Sequence, residues 1–328
     1  MKFATLKNGT PDGCLLLVSR DLQQTVKVEH LAATLQVAID NWDKLYTQFV
    51  ELYQALNDGQ VAEAFTFDPS QLMAPLPRSW QWLDGSLFIS HGELMQQAFN
   101  LDPIQGAATT PLVYQGAGDD FRGPCDDIEL SSESYGIDFE GEFAVIVDEV
   151  PMGTPANKAL DYVRLIMLVN DISLRALAVR EMKTGFGFIQ AKPSSSFSCV
   201  AITPDELGQF WTEGRIHLPL HVHWNGKWFG NPHGSAMHFG FQQLIAHAAL
   251  TRRLSAGTIL GSGTVSNHDR SVGSACISER RAIDLIEYGE VRTDYMKFGD
   301  RIRIYSTLPD GSHPFGAIDQ HVIEASAQ

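Results

Sequence analysis

Tyr135-Gly136-Ile137-Asp138-Phe139-Glu140-Gly141-Glu142-Phe143-Ala144-Val145-Ile146-Val147 is the stretch on which the reading of this chain turns. Its second half is apolar and β-branched, which predicts that it enters a buried strand. Glu140 and Glu142 lie two apart, a spacing that on a strand turns both carboxylates to one face. Side by side they repel and need either solvent or a cation. A solvated strand edge is the plain reading; beside a buried strand a bound cation is the sharper one.

Three other segments carry chemistry. In Leu165–Arg175 an apolar run ends in Asn170-Asp171 before a candidate helix. Asp171 is either that helix's N-cap or a hard oxygen ligand. Arg175, one helical turn on, is placed to pair with it or with an anionic substrate. In Trp82–His91, Asp84 and His91 lie seven apart in a loop-like stretch. His91 reads as a surface histidine or as a general base. In Gln190–Phe197, Lys192 sits in a Pro/Ser-rich turn, as a plain surface residue or as a cation holding a developing oxyanion.

The rest of the chain sets the frame. Its 328 residues carry 24 Lys+Arg against 39 Asp+Glu, a net charge of −15, with 44% hydrophobic residues. That is a globular composition with ample length for a buried core. The acidic balance argues against nucleic acid and against an anionic membrane surface as partners. The longest apolar runs, Cys14–Val18 and Leu165–Val169, fall far short of the roughly 20 residues a bilayer demands. The N-terminus breaks into turn residues within ten positions, which predicts no signal peptide. Cys14, Cys125, Cys199 and Cys276 are widely spaced without a C-x-x-C, as reduced thiols of a cytoplasmic protein would be.

Residues 1–78 read as a small α/β N-terminal domain. Two short strands, Lys2–Leu6 and Cys14–Ser19, flank the turn Asn8–Gly13. Leu31, Leu35, Ile39, Trp42, Leu45, Phe49, Leu52 and Leu56 then recur at helical spacing, ended by Asn57-Asp58-Gly59. Met73–Arg78, with two prolines, reads as a linker. Residues 79–328 read as a mixed, β-rich α+β domain. Strands are expected at Glu142–Asp148, Cys199–Thr203, His217–Trp224 and Arg301–Ser306, and helices at Ala159–Asn170, Ser173–Lys183 and Phe241–Leu250. His217, His221 and His223 alternate against Leu218, Leu220, Val222 and Trp224, so a half-exposed strand accounts for them without a metal.

Together these segments resemble the fumarylacetoacetate hydrolase family, over residues 79–328. D-F-E-G-E-F-A-V-I matches its E-x-E strand, N-D-I-S-L-R the segment of its second aspartate, and A-K-P-S-S-S-F its lysine segment. The Asp84-to-His91 spacing matches that of the family's metal-binding aspartate and catalytic histidine. P-L-V-Y-Q-G and G-S-G-T-V-S-N match two substrate-contacting turns. The N-terminal segment is similar to that of the family's bacterial subgroup.

The resemblance implies a divalent cation, Mg²⁺ or Ca²⁺ with Mn²⁺ an alternative, held by Asp84, Glu140, Glu142 and Asp171. It implies His91, Lys192 and Glu279 as catalytic residues, and Tyr114, Arg175 and Thr264 as substrate contacts. The implied activity is hydrolysis of a carbon–carbon bond in a small diketo acid such as fumarylacetoacetate, by a homodimer. Acylpyruvate hydrolysis, decarboxylation, hydration and isomerisation are the alternatives on the same scaffold, and a non-catalytic metal-binding protein is the rival class. Departures concern the substrate: Ala178 stands where the animal enzymes carry glutamine, no tyrosine lies near Met182, and Glu279 is about two residues out of simple register.

Overall fold

The computed structural model describes residues 1–100 and 102–326. Its centre is an 11-stranded sheet. Gly141–Val147 lies antiparallel between Val163–Asn170 and Thr258–Gly261. Thr258–Gly261 runs parallel to Trp82–Ser86, which pairs antiparallel with Leu112–Gly116 at the edge. On the other side the sheet continues through Ala201–Ile202 into Lys2–Leu6, Cys14–Val18 and Gln24–Lys27. The N-terminal segment thus adds strands to the same sheet that carries the E-x-E stretch.

Both faces of that sheet are covered. Phe143, Val145, Val147, Ile166 and Leu168 pack into a core shared with a five-stranded sheet containing Leu220–Trp224, Arg301–Ser306 and Ala317–Glu324. Ala144, Ile146, Leu165, Met167 and Val169 pack into a second core with Phe3, Trp42, Phe49 and Leu56. The helical stripe resolves into two helices, Leu35–Asp40 and Trp42–Asn57. The second lays Phe49 edge-on against Phe3 at 5.2 Å. Gly59, at φ +70°, follows its end. The fold is α+β and β-rich.

Three local expectations are corrected. The helix expected at Ala159–Asn170 is a short helical stretch followed by the strand Val163–Asn170. A strand buried on both faces shows no polar alternation, and its apolar run reads equally as a helix. The loop-like stretch around Asp84 and His91 is the strand Trp82–Ser86 followed by the helix Ile89–Phe99. Asp171 is not an N-cap: the following helix runs Arg175–Thr184 with Leu174 at its N-cap.

Candidate active site

The site forms where strand ends converge. Asp84 sits in the strand Trp82–Ser86, paired on one side with Gly261 and on the other with Tyr114. A Cβ on Gly261 would collide with the Asp84 carboxylate and the Trp82 ring, so only glycine lets the neighbouring strand pass there. Glu142 projects from Gly141–Val147. Asp171 follows Val163–Asn170, its N–H donating to the Glu140 carbonyl at 3.0 Å. One carboxylate oxygen from each of Asp84, Glu142 and Asp171 lies within 4.8 Å of the others, and all three residues are buried.

Polar groups orient this cluster. Asp171 Oδ2 accepts from Tyr114 Oη at 2.6 Å and from Lys192 Nζ at 2.5 Å; its Oδ1 accepts from Ser195 Oγ at 2.6 Å. The Gly263 N–H donates to Asp84 Oδ1 at 3.1 Å, and the buried Thr264 follows it. Glu140 lies outside that group but is tied to it through Lys192, which donates to both Glu140 and Asp171. Its oxygens accept from Arg175 and, at 2.6 Å, from Lys192. Arg175 therefore pairs with Glu140, and with Asp138 at 2.8 Å, rather than with Asp171. Sequence reading passed over Asp138 and Ser195, although both lie inside quoted motifs. The signal for Asp138 was its place two residues before Glu140, continuing the acidic spacing of the E-x-E pair.

His91 occupies the first turn of the helix Ile89–Phe99, with Nδ1 3.0 Å from Glu279 Oε1. Glu279 is fully buried in the helix Ile277–Tyr288, and the His91 side chain is 22% exposed. An Nδ1–H donated to the carboxylate leaves the Nε2 lone pair free to take a proton. Phe188 packs edge-on against Tyr114 at 5.3 Å.

The electrostatics call for a cation. Both carboxylate oxygens of Glu142 are buried and have no hydrogen-bond partner among the described residues, a costly state for a charged group. Burial, and then the charges of Asp84 and Asp171, push its carboxyl well above the usual range. Burial, reinforced by Asp171, pushes Asp84 up to about 8. Burial also acts to raise Glu140, but Arg175 and Lys192 outweigh it and hold that carboxyl low. Burial disfavours the Lys192 ammonium, yet Asp171 and Glu140 outweigh it and raise its pKa. Oxygen donors alone fit a hard divalent ion such as Mg²⁺, Mn²⁺ or Ca²⁺.

A pH dependence follows for the metal-free protein. Asp84 and Glu142 are acids whose folded pKa lies above the unfolded value of ~4, so the fold binds more protons than the unfolded chain. Their contribution to stability is present at low pH and is lost as pH rises toward and through about 8. The melting temperature of chelator-treated protein is expected to fall from about pH 6 to about pH 9, and a saturating divalent ion to flatten that fall. Equal slopes with and without the ion would contradict this account.

Comparison with known proteins agrees with the architecture. A family model described as the fumarylacetoacetate (FAA) hydrolase C-terminal domain matches residues 82–323, and one for fumarylacetoacetase N-terminal domain 2 matches residues 1–78. A 2,4-didehydro-3-deoxy-L-rhamnonate hydrolase from Sphingomonas sp. (strain SKA58) is 28% identical over 159 residues, 48% of this chain and 53% of that protein. The chain thus aligns with about half the length of that relative. Maleylpyruvate hydrolase from Sphingobium sp. SYK-6, solved with manganese(II) and pyruvate, superposes with a TM-score of 0.68 at 16% identity, covering 99% of this chain and 100% of that one. The fumarylacetoacetate hydrolase of Exiguobacterium antarcticum gives 0.67 at 17% identity, with coverage of 99% and 100%. At these identities the structures show a shared fold, and the match of the C-terminal family model over most of the chain settles its kinship: this protein belongs to the fumarylacetoacetate hydrolase family.

Proposed function

We propose that this protein is a divalent-cation-dependent hydrolase that cleaves a carbon–carbon bond in a small diketo acid, fumarylacetoacetate or an acylpyruvate, and that it works as a homodimer. The observation that carries the reading is the His91–Glu279 pair standing beside a buried, electrically unsatisfied carboxylate cluster. A protein that only stored or structurally used a metal would have no need of an oriented imidazole at that cluster.

His91 Nε2 removes a proton from water, and Glu279 stabilises the resulting imidazolium through Nδ1. The hydroxide adds to the acyl carbonyl. The carbon–carbon bond then breaks, its electron pair passing to the departing carbon as an enolate, which recovers a proton from His91. Lys192 offsets the negative charge on the oxygens as it develops, and Tyr114 and Thr264 contact the diketo acid. Arg175, held by Asp138 and Glu140, adds positive charge to the same wall. What a divalent ion held by Asp84, Glu142 and Asp171 would supply is Lewis acidity for chelated keto and carboxylate oxygens.

Decarboxylase and isomerase chemistries do not need a base for water, so the His91–Glu279 pair favours hydrolysis. The test is a spectrophotometric assay of metal-stripped protein with fumarylacetoacetate and with acylpyruvates, before and after adding Mg²⁺, Mn²⁺ or Ca²⁺. Metal-dependent loss of the diketone absorbance is the expected result. No cleavage of any of these substrates by metal-loaded protein would overturn it. Sedimentation of the same sample checks the dimer.

Glu142→Gln separates the site from the fold. At a hundredfold excess over its Kd an ion bound only to the folded state adds ~2.7 kcal/mol. That raises the melting temperature by about 4 °C for a chain of this size. The variant is expected to lose this rise and the metal-dependent activity, while melting at or above wild type without metal, because the repulsion in the cluster is relieved. An undiminished metal-induced shift would remove Glu142 from the site.

A further inference from the structure

Beside the oxygen cluster lies a second group of ligand-type side chains. One ligand atom from each of His91, Cys276 and Glu279 falls within 4.8 Å of the others. His91 Nδ1 is 3.0 Å from Glu279 Oε1, and the Glu279 N–H donates to Cys276 Sγ at 3.4 Å. Cys276 and Glu279 are fully buried, while His91 is partly open and gives a route in. Imidazole, thiol and carboxylate together form a borderline-soft donor set. It suits a tetrahedral ion that keeps its fourth position for water or another ligand. The Asp84–Glu142–Asp171 group offers only hard oxygens.

The thiol is a weak helix cap: its Sγ accepts the Glu279 N–H at 3.4 Å. Cys276 is the N-cap of Ile277–Tyr288, a position where serine, threonine, aspartate or asparagine serves better. The first turn is already served by buried Asp138, which accepts the N–H groups of Ile277 at 2.7 Å and Ser278 at 2.9 Å. Capping alone would be met better by serine or threonine, and this thiol lies next to a histidine and a glutamate.

We propose that His91, Cys276 and Glu279 form a second cation site, selective for soft or borderline ions of the Zn²⁺ and Cd²⁺ class, and that an ion bound there takes His91 out of action. The silencing rests on the reading of His91 as the base; the binding does not. On binding, the thiol S–H bond breaks and its proton leaves to solvent as the sulfur–metal bond forms. The hydrogen bond between His91 and Glu279 gives way to coordination by both. Mg²⁺, a hard ion that avoids thiolate, leaves this group alone. The two sites therefore sort ions by softness, one supporting turnover and the other stopping it.

Cd²⁺ is the probe, titrated into the full-length, Mg²⁺-saturated protein and followed by thiolate-to-metal absorbance in the near ultraviolet and by equilibrium dialysis. One tight equivalent that brings the absorbance is expected. Cys276→Ser retains a capping hydroxyl and is expected to remove the absorbance and weaken that equivalent at least ~10-fold, since losing an outer partner of a metal site already costs 10–100-fold. Glu142→Gln is expected to keep both signals, which separates a failure of this site from a failure of the catalytic reading. Unchanged Cd²⁺ binding in Cys276→Ser, or loss of the absorbance in Glu142→Gln, overturns an independent site. Zn²⁺ is expected to inhibit the Mg²⁺-loaded wild type and to spare Cys276→Ser. Equal inhibition of both overturns the silencing.

Discussion

Replacing His91 by alanine lowers kcat by about 10²–10⁴-fold, the usual contribution of a positioned general base, while the divalent ion still raises the melting temperature as in wild type. The two readouts separate because His91 contributes no oxygen to the Asp84–Glu142–Asp171 group. Its side chain is partly exposed, so its loss opens little of the core. Glu279→Gln places an amide where the carboxylate now faces His91 Nδ1. The imidazolium then loses its counter-charge, and kcat is expected to fall by less than in His91→Ala, with the metal-induced rise in melting temperature kept. A structural role alone would lower the melting temperature without lowering kcat at temperatures where the variant stays folded. Normal turnover by His91→Ala would place the base elsewhere.

The sequence exposed the chemistry of the site more clearly than the elements that carry it. Asp84, Glu142 and Asp171 were legible because each sits in a short motif, and the structure brings the three together. The motif reading also placed Glu140 among the metal ligands. Spacing alone cannot show that Arg175 and Lys192 occupy both of its oxygens, because Lys192 arrives from 52 residues along the chain.

Secondary structure failed where burial erased the pattern. Val163–Asn170 has both faces packed, so no alternation marked it as a strand. The helix Ile277–Tyr288 went unread because its cap is a cysteine, which is not a helix-start signal. Its first amides are served instead by Asp138, 139 residues away from Ile277. The half-buried strand around His221 and His223 was legible, since Leu220 and Val222 still alternate with the histidines, although it begins at Leu220 rather than His217.

Asp138→Ala is expected to destabilise the fold by about 3–5 kcal/mol, the range for breaking a buried ion pair from one side. Asp138 has no exposed surface. Its carboxylate ties its own strand to two other pieces of chain: it accepts from Arg175 Nε at 2.8 Å, from the Ile277 N–H at 2.7 Å and from the Ser278 N–H at 2.9 Å. Alanine leaves two buried amides without acceptors, each costing about 1–3 kcal/mol, and leaves the Arg175 guanidinium with Glu140 alone. At matched scan rates the melting temperature should drop by about 4–7 °C. Asp138→Asn retains one acceptor oxygen and should fall between the variant and wild type. The damage also reaches the reaction, because Asp138 fixes both Arg175 and the start of the helix that carries Glu279. The asparagine variant is thus expected to lose kcat beyond its modest loss of stability, with metal binding preserved. If Asp138→Ala melts like wild type, the amides of Ile277 and Ser278 have found other acceptors, and the account of Asp138 as the joint between the two halves of the site fails.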